Sequence, residues 1–240
     1  MALILPEGYE DLDRGSVRVV AARLDLEEMT GLLCGAARDE AGEAVSGGRG
    51  GTRRVVLPGG RAVYVRHYLR GGMMRFLSRD LYLARPARPL RELAVTHYAR
   101  ASGCPVPQVL AVCVEEAGMF YRGWMVTGEL EGTRPLFDLF ATADDSGRKR
   151  LLRAAGLAIR CLHDAGVYHP DLTGQNLLVD EEGEAWVIDF DRAWLGRPNV
   201  IRHADAARDR FWRSMVKLSA AVGTALDGEQ RRWLEWGYRG

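Results

Sequence analysis

Residues 168–194, YHPDLTGQNLLVDEEGEAWVIDFDRAW, constrain the fold of this chain more than any other stretch. Two short apolar runs, NLLVD and AWVIDF, flank Glu181-Glu182-Gly183, a polar connection that suits a tight hairpin. A hairpin returns the chain to its starting edge. Asn176, entering the first strand, and Asp189, leaving the second, therefore finish near one point in space. Asp171 sits five residues before Asn176, in the preceding loop. Hard cations take oxygen ligands, and Mg²⁺ in particular takes one or two carboxylates plus substrate phosphates. Asn176 and Asp189 supply such oxygens and leave Asp171 to orient a hydroxyl and accept its proton.

Upstream the pattern is mainly one of strands. AGEAVSGGRGG, residues 41–51, reads as a glycine-rich loop. TRRVVLP and RAVYVRHY, joined by Pro58-Gly59-Gly60, predict a hairpin, and VPQVLAVCVEE and MFYRGWMVTGEL predict another across Ala117-Gly118. Between them PLRELAVTHYARAS, from Pro89 to about Ser102, has helical spacing and is stopped by Gly103 and Pro105. Downstream, helical spacing returns from about Ser146 to His163, and the last stretch reads as two helices parted near Asp227-Gly228. The expectation is an α+β chain: residues 1–128 a small antiparallel sheet with one helix, residues 129–240 mainly helical, with the boundary between Gly128 and Gly132.

A chain of 240 residues with 47% hydrophobic content can bury a substantial core. Its net charge of +1 provides no global field to recruit nucleic acid or membrane, so any basic surface is local. The cysteines Cys34, Cys104, Cys113 and Cys161 form no C-x-x-C and read as small hydrophobes in a reducing cytoplasm. No segment approaches the length of an apolar membrane span, and the N-terminal residues do not have the pattern of a signal peptide. No nucleic acid and no obligate protein partner is inferred.

His169-Pro-Asp171-Leu-Thr-Gly-Gln-Asn176 followed by Asp189-Phe190-Asp191 resembles the catalytic and metal-binding loops of the protein-kinase-like phosphotransferases. The upstream parts of that family stand in order: Gly47-Gly48-Arg49-Gly50-Gly51 before the first hairpin, Arg66 closing AVYVR where a lysine is usual, and Glu92 on the next helix. The resemblance implies a two-lobed fold that binds ATP and Mg²⁺ between a β-rich N-lobe and a helical C-lobe. It implies Asp171 as base or hydroxyl-orienting residue, His169 as the brace of its loop, and Asn176 and Asp189 on the metal. Gly48, Gly50, Gly51 and Arg66, with Glu92 holding the arginine, would surround the phosphates. The backbone of Glu129 and Leu130 would meet adenine. The departures are Arg66, Pro170 after the histidine, Asp191 in place of glycine, and the lack of an A-P-E segment. They do not suit a regulated protein kinase.

GRGGT, VRHYLRGGMMRFLSRDLYL, HPDLTGQNLLVD and VIDFDRAW are similar to the lipopolysaccharide kinase family, over most of the chain. That resemblance implies ATP-dependent phosphorylation of a hydroxyl on the 3-deoxy-D-manno-octulosonic acid (Kdo) sugar of a lipid A precursor. The protein would be cytoplasmic, peripheral to the inner membrane and in contact with its lipids. Residues 66–91 add independent support, with seven arginines against Asp80 alone, interleaved with Tyr68, Met73, Met74, Phe76, Leu77, Tyr82 and Leu83, a mixture that suits a phosphate-bearing headgroup surface. Arg70 and Arg75 read as substrate contacts or solvated charges, Asp191 as a second metal ligand or a turn residue, and Arg192 as a holder of the loop or the substrate. The alternatives are a heptose kinase of the same family, a small-molecule or antibiotic phosphotransferase, and a non-catalytic pseudokinase scaffold.

Overall fold

Strand alternation builds the first part of the computed structural model, which describes residues 5–34, 42–45, 51–69, 80–82 and 87–240. Strands β1 (Tyr9–Arg14) and β2 (Val17–Ala22) pair antiparallel. After helix α1 (Leu26–Cys34) come β3 (Glu43–Ala44), β4 (Thr52–Val56) and β5 (Ala62–His67). Helix α2 (Arg88–Ala101) precedes β6 (Val109–Ala117) and β7 (Phe120–Gly128). The seven strands form one antiparallel sheet in the order β1-β2-β6-β7-β5-β4-β3. Both predicted hairpins are present, as β4–β5 and β6–β7.

Successive strand residues point to opposite faces, and here both faces are buried. Val19, Ala21, Val63, Val65, Trp124 and Val126 pack with Met29 and Leu33 of α1. Val20, Val112, Val114 and Met125 pack with Leu90 and Leu93 of α2. The sheet is therefore covered by two helices, not the single one expected from sequence. The nine-residue α1 carries Leu26, Met29, Thr30 and Leu33 on one stripe, and the last three are buried. Two aromatics of the 66–91 stretch also differ from expectation, while Met73, Met74, Phe76, Leu77 and Leu83 lie outside the described residues. Tyr68 and Tyr82 are buried in the α2-side core and do not line a surface.

Cα packing gathers the chain into two units, Met1–His97 with Gln108–Glu129, and Tyr98–Pro107 with Leu130–Gly240. The second contains β8 (Arg134–Pro135), α3 (Leu136–Thr142), α4 (Asp145–Asp164), β9 (Val167–Tyr168), β10 (Leu177–Val179), β11 (Ala185–Val187), β12 (Trp194–Leu195), α5 (Ile201–Ala221) and α6 (Gly228–Arg239). β10 pairs with β8 and β11, and β9 pairs with β12. Helices α4 and α6 begin on polar caps, where orphan N–H groups need acceptors, whereas α5 begins on Val200 without a side-chain cap. Asp144 accepts from the Gly147 N–H of α4 at 2.7 Å, and Asp227 with Gln230 forms a capping box on α6. No described helix is long and apolar enough to cross a membrane.

Helices α4 and α6 approach backbone to backbone. A Cβ on Gly237 would stand 2.1 Å from Arg153 O, and one on Gly156 would stand 2.4 Å from Leu234 O. Main chain cannot swing aside as a side-chain tip can, so Gly237→Ala should act as an overpacking mutation. A loss of about 1–3 kcal/mol in urea unfolding is expected, and an unchanged midpoint would contradict the close crossing.

Near the end of α4, His163 is buried, with Nδ1 2.9 Å from Tyr238 Oη and the ring stacked at 5.4 Å on Tyr168. Burial, reinforced by the Arg208 charge and opposed by Asp164 and Asp205, lowers its pKa from 6.5 to about 4. The unfolded chain then binds the proton first, so this contribution to stability is complete above pH 6.5 and is lost as pH falls toward 4. Thermal midpoints measured across that window should fall more steeply for the wild-type protein than for His163→Gln. Parallel curves would remove His163 as the linked group.

Candidate active site

The hairpin β10–β11 carries out what its sequence requires. Leu177 pairs with Val187, and one residue beyond, the Ile188 N–H donates to Asn176 O at 3.0 Å. Asn176 and Asp189 therefore leave the hairpin at the same end. The preceding loop is tied to that end by His169, which is 1% exposed. Its Nδ1 accepts the Asp171 N–H at 3.2 Å, which makes Nε2 the protonated nitrogen, and Nε2 donates to Ile188 O at 3.1 Å. Burial lowers the pKa of His169 below its usual value, so the ring stays neutral and serves as a brace. Phe190, fully buried, meets it edge-on at 5.1 Å.

Asn176 completes the loop by donating Nδ2 to Asp171 O at 2.9 Å. That bond fixes the amide orientation and leaves Oδ1 with no donor among the described residues. Asp189 adopts φ +66°, a left-handed conformation uncommon outside glycine but one aspartate tolerates. Its carboxylate is exposed, between Ile188 on the brace and Phe190 in the core. Asp191 is partly buried in the turn closed by the Ala193 N–H on Phe190 O at 2.9 Å. Arg192 Nη1 lies 3.3 Å from Asp171 Oδ2. With the arginine side chain 68% exposed, this pair is worth at most about 1 kcal/mol and is easily exchanged. One hydrogen-bonded network thus gathers His169, Asp171 and Asn176 at the strand end that presents Asp189.

The first unit carries a second cluster. Arg66, near the end of β5, pairs through Nη2 with Glu92 of α2, whose side chain is 3% exposed. Arg66 Nη2 also donates to Tyr68 Oη at 3.0 Å, and Tyr68 Oη donates to Glu92 Oε2 at 2.5 Å. The guanidinium carbon stands 4.7 Å from the Tyr68 ring centroid. Burial and the Glu92 charge push the Tyr68 phenol well above its ordinary pKa, so it remains a donor. The pairing of Arg66 with Glu92 was readable from sequence; the part of Tyr68 was not, because its aromatic neighbours suggested a surface.

At the end of the same sheet, Arg54 grips Glu129 with two bonds of 2.6 and 2.8 Å, and Tyr64 Oη adds a third at 3.1 Å. Arg54 holds the Glu129 carboxyl below the usual range. The Glu129 N–H donates to Ala62 O, and Thr133 donates to Leu130 O. The Glu129 carbonyl and the Leu130 N–H remain without partners among the described residues. Sequence reading missed Arg54, although the pairing of β4 with β5 sets it opposite Tyr64. Gly51 accepts the His67 N–H at 2.7 Å, and a Cβ there would stand 2.5 Å from His67 O, so its bareness serves the strand pairing. Gly48, Gly50, Arg70 and Arg75 lie outside the described residues.

Among the described residues no group of three or more His, Cys, Asp or Glu side chains is placed to hold a metal ion. Asn176 and Asp189 instead offer one amide oxygen and one carboxylate. This sparse set fits Mg²⁺ arriving with phosphates, which supply the remaining oxygens along with water.

Comparison with known proteins adds a separate finding. The profile of the lipopolysaccharide kinase (Kdo/WaaP) family matches residues 37–221. A 3-deoxy-D-manno-octulosonic acid kinase of Xanthomonas oryzae pv. oryzae is 40% identical over 208 residues, 83% of this chain and 82% of that protein. Its counterpart in Xanthomonas euvesicatoria pv. vesicatoria is 39% identical over 183 residues, 75% and 72% of the two chains. That of Stenotrophomonas maltophilia is 37% identical over 175 residues, 72% and 68%.

The Glu92 cluster yields a stability test. Glu92→Ala leaves a largely buried guanidinium without this carboxylate and Tyr68 Oη without its acceptor. Urea unfolding should lose about 3 kcal/mol, toward the lower end for breaking a buried pair because Arg66 retains some exposure. A change within a few tenths would mean that the cluster adds nothing to the fold.

Proposed function

Because the chain belongs to the lipopolysaccharide kinase (Kdo/WaaP) family, we propose that it transfers a phosphoryl group from MgATP to a hydroxyl of the Kdo sugar on a lipid A precursor. The carrying observation is the 40% identity to a 3-deoxy-D-manno-octulosonic acid kinase over more than four-fifths of each chain. The described loop chemistry supports the same reading. A chain kept only as a pseudokinase scaffold would have no need of a base and an amide held in one network at the strand end that presents a metal-suited carboxylate.

In this reading the fold is protein-kinase-like, with residues 1–128 as N-lobe and 129–240 as C-lobe. Asp171 accepts the proton of the acceptor hydroxyl as that oxygen attacks the terminal phosphorus. His169 keeps the Asp171 loop on Ile188, and with its basicity lowered by burial and its Nδ1 lone pair occupied by the Asp171 N–H it competes poorly for the proton. Asn176 and Asp189 would hold Mg²⁺, which would supply charge neutralisation at the phosphate oxygens. Arg66, fixed by Glu92 and Tyr68, offers a guanidinium fork that matches two phosphate oxygens, and Gly48, Gly50 and Gly51 cover them. The Glu129 carbonyl and Leu130 N–H face the adenine edge. Arg192, weakly held by Asp171, turns to the carboxylate that an ulosonic acid carries, and Asp191 shapes that turn. Arg70 and Arg75 meet the acceptor or anionic headgroups, placing the protein at the cytoplasmic face of the inner membrane. Catalysis of this type is mostly positioning and charge stabilisation.

Mass spectrometry of a Kdo-bearing lipid A precursor incubated with protein, ATP and Mg²⁺ tests the reading. One added phosphate on the Kdo fragment is expected, with Asp171→Ala slower by ~10²- to 10⁴-fold, the range for a lost general base. Equal turnover by the variant would remove Asp171 from the reaction. Phosphate appearing only on a heptose-bearing or soluble acceptor would overturn the Kdo assignment while keeping the kinase.

A further inference from the structure

Sequence spacing separates the four cysteines, yet folding brings two of them together. Cys104 Sγ and Cys161 Sγ lie 2.7 Å apart, within the second unit. Cys104 directly follows the turn that ends α2, where its N–H donates to Ala99 O at 3.0 Å. Cys161 sits in the last turn of α4. The two differ in access: Cys104 is buried, whereas Cys161 is partly exposed and lines an open pocket of about 550 Å³ with Tyr98, Ser102, Leu157, Arg160 and Asp164. The reading of the cysteines as separate small hydrophobes holds for the burial of Cys104, does not foresee its contact with Cys161, and fails for Cys34, which is exposed.

We propose that Cys104 and Cys161 are a reversible dithiol–disulfide pair, oxidised by a peroxide that reaches Cys161 through this pocket. The Cys161 thiolate attacks one peroxide oxygen, the O–O bond breaks, and Cys161 becomes a sulfenic acid as the leaving oxygen departs as water. The Cys104 sulfur then attacks the Cys161 sulfur, the S–O bond breaks, and the sulfenic oxygen leaves as a second water with the Cys104 proton. Two thiols have given two electrons to one peroxide, which ends as two waters. This order follows from access. It also agrees with the Cys104 thiol, which burial pushes up and keeps protonated until its partner is activated.

The bond joins two elements that matter to the site. It would fix the tail of α2, the helix that carries Glu92, to α4. The loop it anchors continues into Pro105, whose carbonyl accepts the Val187 N–H at 2.9 Å. Val187 is the last residue of the strand that leads to Asp189.

The test uses the full chain as Cys34→Ser, which removes the exposed thiol and its intermolecular disulfides. Hydrogen peroxide is added, unreacted thiols are alkylated, and peptides are mapped by mass spectrometry. Two of the three remaining thiols should vanish in the monomer, a Cys104–Cys161 cross-linked peptide should appear, and dithiothreitol should restore both. The thermal midpoint should rise by about 5 °C or more on oxidation, since the bond closes a long loop. The double variant Cys34→Ser, Cys161→Ser should show no rise. Accumulation of sulfinic acid at Cys161 with Cys104 still alkylated would overturn the proposal, as would full alkylation of all three thiols.

Discussion

The site in the second unit depends on one buried imidazole. His169 has two ring nitrogens and spends both on backbone, accepting from Asp171 and donating to Ile188. That choice fixes the tautomer, and it fixes the loop against the strand end. A lysine or arginine there would have no acceptor nitrogen for the Asp171 N–H, and a carboxylate would have no donor for Ile188 O. Burial then keeps the ring uncharged, so the brace does not loosen by protonation in neutral solution. Asn176 repeats the device from the other side of the loop, one side-chain donor on the Asp171 carbonyl. Both backbone polar groups of Asp171 are thus satisfied by side chains of its own loop, which fixes the residue while its carboxylate meets only the exposed Arg192.

Much of this was legible in the sequence, for reasons that can be stated. The hairpins β4–β5, β6–β7 and β10–β11 announce themselves because apolar runs are broken by residues that favour turns. The segment from 168 to 194 could be read to the level of single side chains because a two-stranded return fixes which residues meet. Helix α2 and helix α4 show full-length apolar spacing and polar or glycine ends. What escaped was short or distant. Helix α1 spans nine residues, too few for its stripe to stand out from chance. The β1–β2 hairpin hides because YEDLDR is a charged edge strand with little apolar signal. The grip of Arg54 on Glu129 spans 75 positions and the Cys104–Cys161 contact spans 57, and nothing local marks either.

The reading of residues 66–91 shows how composition can mislead. An excess of arginine among aromatics suggests a surface that meets phosphates, and two of those aromatics contribute nothing to it. Tyr68 and Tyr82 belong to the core on the α2 side. Tyr82 stacks on Tyr121 at 5.6 Å, and Arg88 lies 4.8 Å from the Tyr82 ring centroid. An aromatic side chain supplies apolar area to a core and a polar or π face to a charge at its edge, so its presence beside arginine does not decide which side of the surface it lies on.

An arginine at position 66, where the resemblance to protein kinases leads one to expect a lysine, becomes understandable through a tyrosine of the same stretch. Strand alternation puts residues i and i+2 on one face, and Tyr68 extends the β5 ladder by donating its N–H to Gly123 O at 2.9 Å. Arg66 and Tyr68 therefore share a face, the one toward Glu92. A lysine has one compact charged head, which Glu92 alone would satisfy. A guanidinium is broad and flat and needs more: a carboxylate at its edge, a second acceptor beside it and a surface to lie against. Glu92 Oε2, Tyr68 Oη and the Tyr68 ring supply the three. The arginine and the tyrosine two residues on are in this sense one choice. Replacing Arg66 by lysine alone would leave the Tyr68 hydroxyl without its arginine donor, in a pocket shaped for a planar group. The surroundings of Arg66 thus suit a guanidinium in each of the three respects in which it differs from an ammonium.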